Sequence, residues 1–119
     1  MSPFDPWSYE AHVAVGIAAF REARYDEAAT HFGKAVLANP SFSSTRFLHA
    51  MILALDGRMD EAMQAVRGGL EIQPGFRIRL VFELGMLPEI ADKLAEGGRL
   101  LGLPELTNAT ARIRAGGGV

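Results

Sequence analysis

The chain has 119 residues, a formal net charge of −2 and no cysteine. That length allows one domain of ordinary size. The charge gives no basic footprint for nucleic acid, and the missing cysteines exclude disulfides, thiolate nucleophiles and cysteine-ligated zinc.

No apolar run reaches the ~18 residues that a membrane span requires. The start, Met1-Ser2-Pro3-Phe4-Asp5-Pro6, has neither the basic region nor the apolar stretch of a signal peptide. The cytoplasm is therefore the expected compartment, with no membrane and no nucleic acid among the partners of this chain.

Residues 1–8 read as the close of a preceding unit, because Pro6 ends a segment with no helix before it. A first helix is expected from residue 8 or 9 to residue 22. Its apolar residues Val13, Ile17 and Phe20 recur at helical spacing, with Ala11, Val15, Ala18 and Ala19 beside them. A helix that is apolar nearly all round suits a place between neighbours. A second helix is expected over Tyr25–Ala38, with Asp26 and Glu27 in the first turn, where carboxylates favour the helix dipole. Asn39-Pro40 ends it, because the residue before proline avoids the α region.

A third helix starts at Ser43 or Ser44, either able to cap it, and closes at Gly57. A fourth covers Met59–Ile72, with Asp60 and Glu61 in its first turn. It contains Gly68-Gly69, which cost about 1 kcal/mol each relative to alanine. Gly69 stands in register with Ala35, so a small side chain is required there, whereas Gly68 has no reason in the sequence. Residues 75–87 fit both periods, and their context favours a short, degenerate helix ending at Gly85. A last helix opens on Pro88 and closes before Gly102 and Pro104. Its stripe of Ile90, Ala91, Leu94, Gly98 and Leu101 marks a helix that caps the end of a stack. Residues 104–119 are expected to be a flexible tail.

Two of these segments say the same thing. Arg24-Tyr25-Asp26-Glu27-Ala28 returns as Arg58-Met59-Asp60-Glu61-Ala62, 34 residues later. Pro6, Pro40 and Pro74 keep the same interval. A fixed period of this size marks helical hairpins stacked in an array.

The motif resembles the tetratricopeptide repeat. Gly16 and Ala50 stand at the small position of its first helix. Tyr25 with Ala28, and Met59 with Ala62, open its second. Phe32, Ala35 and Pro40, then Val66, Gly69 and Pro74, complete it. The usual first-helix aromatic is replaced by His12 and Arg46, and the usual leucine by His49 in the second repeat. The resemblance covers residues 9–76. It implies an all-α fold: a short right-handed solenoid with repeats at 9–42 and 43–76, then a degenerate third unit and capping helix over 77–103. The two ends also resemble, more weakly, a bacterial multidomain group. In that group such a segment follows an adenylate/guanylate cyclase domain or a winged-helix domain. The expectation is a piece excised from a larger signalling or regulatory protein, carrying none of that parent's catalytic or DNA-reading residues.

Chemistry is hard to find. There is no phosphate-binding glycine loop, zinc motif or nucleophile elbow. His12, His31 and His49 are scattered and read as core or surface histidines, with His49 at a position that is normally buried and needs a partner. Asp26-Glu27 and Asp60-Glu61 are solvated helix starts, since adjacent helical residues do not face each other. Asn108-Ala109-Thr110 has the form of a glycosylation acceptor without a secretory context. No cofactor, metal or catalytic residue is expected. The resemblance implies one site, a concave groove lined by Glu10, Val13, Ile17, Phe20 and Arg21 and by Ser44, Phe47, Met51, Ala54 and Leu55. It lacks the basic set that grips a terminal carboxylate. A mostly apolar groove receives an apolar peptide or amphipathic helix. The chain's own C-terminal segment, or a second copy in a homodimer, serves the same positions equally well. The expected function is a non-catalytic protein–protein interaction module; the alternative is a stand-alone oligomerisation unit.

Overall fold

The computed structural model describes residues 7–105, so the expected boundary remnant before Trp7 and the tail beyond Glu105 lie outside the described residues. All regular structure among the described residues is helical: α1 (Tyr9–Arg21), α2 (Tyr25–Ala38), α3 (Ser43–Leu55), α4 (Met59–Ile72), a 3-10 helix (Ile78–Glu83) and α5 (Pro88–Leu100). None of these helices is long and apolar enough to cross a membrane.

The first four helices form two hairpins. Every boundary of the second lies 34 residues after its counterpart in the first. The turns repeat as well. Ala23 and Gly57 both take a left-handed backbone, at φ 59° and 80°. The next N–H, of Arg24 or Arg58, then reaches back 2.9 Å to the carbonyl of Ala19 or Leu53. This is a Schellman-type helix ending. Each arginine finally meets the glutamate of the next first turn, Glu27 at 2.6 Å and Glu61 at 2.8 Å. The repeated phrase is therefore a turn with its lock. The ion pairs are exposed, so water and salt screen them and they add little to stability. At the far ends, Asn39 and Gln73 leave the helix with φ −143° and −134°, as a following proline demands.

Inside each hairpin a phenylalanine ring lies where a glycine has no side chain. A Cβ on Gly16 would sit 2.7 Å from the Phe32 ring, and one on Gly69 2.9 Å from the Phe47 ring. Gly68 has a reason too: a Cβ there would meet the Arg46 guanidinium at 2.8 Å. Arg46 is held across that spot by its own bond to the Pro40 carbonyl, 2.7 Å away. The expected serine cap of α3 is replaced by another contact. Phe42 is the N-cap, without a side-chain bond, and the Ser43 hydroxyl donates to the Gln73 side chain at 2.7 Å.

Repetition stops after Pro74. The expected degenerate α-helix is a 3-10 helix, and Gly85 follows it at φ 82°. Ile78 and Val81 are its buried residues, and three-residue spacing lies on one side of a 3-10 turn. The N–H groups of Ile78 and Arg79 are taken by the carbonyls of Pro104 and Glu105, at 2.8 and 3.0 Å. Residues 104 and 105 therefore belong to the packed unit and not to a tail. The last helix starts on Pro88 and ends at Gly102, φ 75°, as its sequence implies.

Ala23 is exposed and strained where its counterpart is glycine. Ala23→Gly should raise stability by roughly 0.5–1 kcal/mol, and Gly57→Ala should lower it by roughly 1 kcal/mol. Urea denaturation of both variants reads this directly. Equal and opposite shifts are not required, but the signs are.

Candidate functional site

The helix positions expected to line a groove fall into two sets. Glu10 and Arg21 are exposed, and Val13, Ile17, Ser44 and Leu55 are half-buried. Phe20 and Ala54 are buried, each at 3% exposure, and Phe47 and Met51 are sealed at 0%. Phe47 and Met51 therefore offer nothing to a ligand, and the groove they were expected to line is closed.

The chain's own segment from 76 to 103 closes it. Phe76 stacks on Phe47 with ring centroids 3.8 Å apart. α5 then crosses α3 at very short range. A Cβ on Gly97 would lie 2.3 Å from the Met51 carbonyl oxygen, and one on Gly98 3.0 Å from Ile78. The glycine pair that weakens α5 locally is what lets its backbone touch that of α3. The first turn of α5 reaches the first hairpin, where Glu89, Ile90 and Lys93 face Phe20, Arg21 and Tyr25 across a notch of about 420 Å³. Leu84 and Met86 lie beside Val13 and Ile17. What remains of the groove is a cleft of about 210 Å³ between α1 and α3, with Tyr9 and Phe42 also on its wall.

Two polar clusters emerge, one unexpected and one at the normally buried position that the sequence assigns to His49. His12, 1% exposed, meets His31 across the first hairpin with Nδ1 atoms 3.1 Å apart. Trp7 stacks on both rings at 5.2 Å. The ring centroids are 5.4 Å apart, so the two nitrogens point head-on at each other. That is the geometry of one shared proton; a metal held by both would need their lone pairs to converge to one side. Among the described residues no group of three or more histidine or acidic side chains could hold a metal ion. Antiparallel register would have paired positions 12 and 31, but only once the turn was placed.

His49, on α3, is the second cluster. Its ring approaches the Ala29 backbone on α2 and lies against Gly33. Burial, and then the nearby Arg58 cation, push its pKa below the ordinary 6.5, and Glu61 opposes them.

The second hairpin leaves part of an apolar stripe in solvent. On α4, Met59 and Met63 are 37% and 38% exposed, with the half-buried Leu70 on the same stripe. Their counterparts on α2 are Tyr25, Ala29 and Val36. α3 covers that face, and Ala29 is 2% exposed. Among the described residues no helix does the same for α4. No family model matches the chain, and no curated protein or solved structure matches it.

Two outcomes follow from these contacts. Gly97→Ala should cost at least about 2 kcal/mol, because its Cβ meets backbone that cannot swing away. It should also raise binding of an apolar dye as Phe47 and Met51 are uncovered. A lowered folded-state pKa at His49 means that the neutral form is favoured. Stability from that site is full above the ordinary 6.5 and is lost as the pH falls below it. The stability gap between His49→Leu and the wild type should therefore shift in favour of the leucine variant from about pH 7.5 to about pH 5.5. A gap that stays constant would mean that His49 carries no such burden.

Proposed function

We propose that the two hairpins are tetratricopeptide-type repeats, stacked as a short right-handed solenoid, and that the protein is a non-catalytic protein–protein interaction module. The common 34-residue offset of all helix boundaries and the duplicated turns support the repeat assignment. The observation that carries the interaction reading is the bare stripe of α4. Methionine is flexible and polarizable, which suits an apolar contact surface, and contiguous exposed apolar patches mark docking sites.

The concave face plays a lesser part in this reading. An extended peptide or a helix finds it filled by residues 76–103, so recognition moves to the end of the stack. The remaining cleft admits one apolar side chain between α1 and α3 and serves as a secondary anchor. A larger regulatory protein of the cyclase or winged-helix kind is the context in which such a module would serve, with the chain as its docking segment.

Position 63 provides the test. A photo-reactive benzoylphenylalanine placed there should cross-link to protein in a cell of the source organism. The same group at the exposed Thr30, on the outer side of α2, should not. Absence of any product at position 63 would remove α4 as a docking face and with it this proposal.

A further inference from the structure

We infer that the bare face of α4 receives α1 of a second copy, so that copies stack head to tail in the register in which α3 stacks on α2. This rests on the interaction reading above and names its partner.

The molecule already contains one instance of the contact. The outer face of α2 meets α3 from the following hairpin: His49 lies against Gly33, Val36 shares a cleft wall with Arg46, His49 and Leu53, and Ala29 is buried. α4 repeats that face 34 residues later as Met59, Met63 and Leu70. Among the described residues there is one other first-of-hairpin helix, α1, and the side of it that corresponds to the covered side of α3 carries exposed residues. On α3 the side turned to the preceding hairpin carries Thr45, Leu48 and Ile52, all buried, with Thr45 and Leu48 against α1. On α1 the same positions are Ala11, Ala14 and Ala18; Ala14 and Ala18 are exposed and Ala11 half-buried.

The sizes are complementary. α4 carries Met63 where α2 carries Ala29. α1 carries Val15 where α3 carries His49, the residue that sits on Ala29. Bulk has moved from one side of the interface to the other, so that long methionines face a shallow alanine surface. Asp60 and Glu61 stay in solvent at the start of α4. Arg67 stands where α2 has Gly33, opposite Val15 in place of His49, and its stem must run along the alanine surface to keep its charge in water. Such a contact joins different surfaces of two copies. Every assembly keeps one free face at each end, and association does not stop at two.

Sedimentation of the full chain reads this. The wild type should show an average mass that climbs past twice the monomer over about a hundredfold rise in concentration. Met63→Arg blocks one end and Ala18→Arg blocks the other, so each alone should stay monomeric. Mixed in equal amounts, they should form a one-to-one dimer and nothing larger. If circular dichroism shows either arginine variant unfolded, Met63→Glu or Ala18→Glu takes its place. Three results overturn the inference: a wild type that is monomeric throughout, a Met63→Arg variant that associates like the wild type, or an Ala18→Arg variant that dimerises by itself through α4 against α4. A monomeric wild type that still cross-links other proteins from position 63 overturns the stacking alone. Loss of both signals removes the interaction reading as well.

Discussion

The close approach of Gly97 to the Met51 carbonyl governs the rest of the structure. α3 is packed by α2 and α4 on two sides, and only a helix without a side chain at the crossing can close on its third side so nearly. Two glycines in α5 cost about 2 kcal/mol together in helix propensity. The contact they permit helps to bury Phe47, Met51, Ile78 and Leu94, each fully removed from water. Burial of side chains of that size is worth about 1.5–3 kcal/mol apiece. The exchange favours the closed arrangement, and with it goes the open concave face. The 3-10 helix depends on the same contact, because Ile78 sits on Gly98 and its N–H is held just beyond the end of α5.

The two hairpins solve one packing problem with opposite choices. In the first, glycine is on the leading helix and phenylalanine on the trailing helix, Gly16 under Phe32. In the second, glycine is on the trailing helix and phenylalanine on the leading one, Gly69 under Phe47. The ring-on-backbone contact is kept while the residues change sides. A motif that is read position by position sees two partial matches here. Read as volume between two helices, both hairpins are filled in the same way.

What the sequence made legible follows from this. Local signals placed α2 and α4 to the residue, since proline, the dipole-favouring acids and the repeat interval all act within one helix. Gly69 was readable because its counterpart is alanine. Gly68 was not, because its reason, Arg46, comes from another helix and is aimed by a bond to Pro40. The 3-10 helix was missed for a similar cause: what pins its start lies at Pro104 and Glu105, far along the chain. The groove list erred at Phe47 and Met51 because helical periodicity tells which side of a helix is apolar. It does not tell which neighbour covers that side. His12 and His31 looked scattered in one dimension and became adjacent only when the hairpin folded back.

Residues 76–105 cover the face with Phe47 and Met51 and leave that of α4. Had residues 77–84 formed another leading helix, its place would have been against α4, over Met59 and Met63, as α3 lies over Ala29. Instead Phe76 turns inward onto Phe47, and the chain runs across α1 and α3. The pull is physical: the concave side offered the Phe47 ring for Phe76 to stack on and a backbone at Met51 that Gly97 can touch. Filling one face therefore exposed the other. The methionines of α4 remain in water because the segment that would have covered them is more strongly held elsewhere. A surface left bare for that reason keeps the shape of the interface it would have made, which is why its complement is best sought in a helix of the α1 and α3 kind.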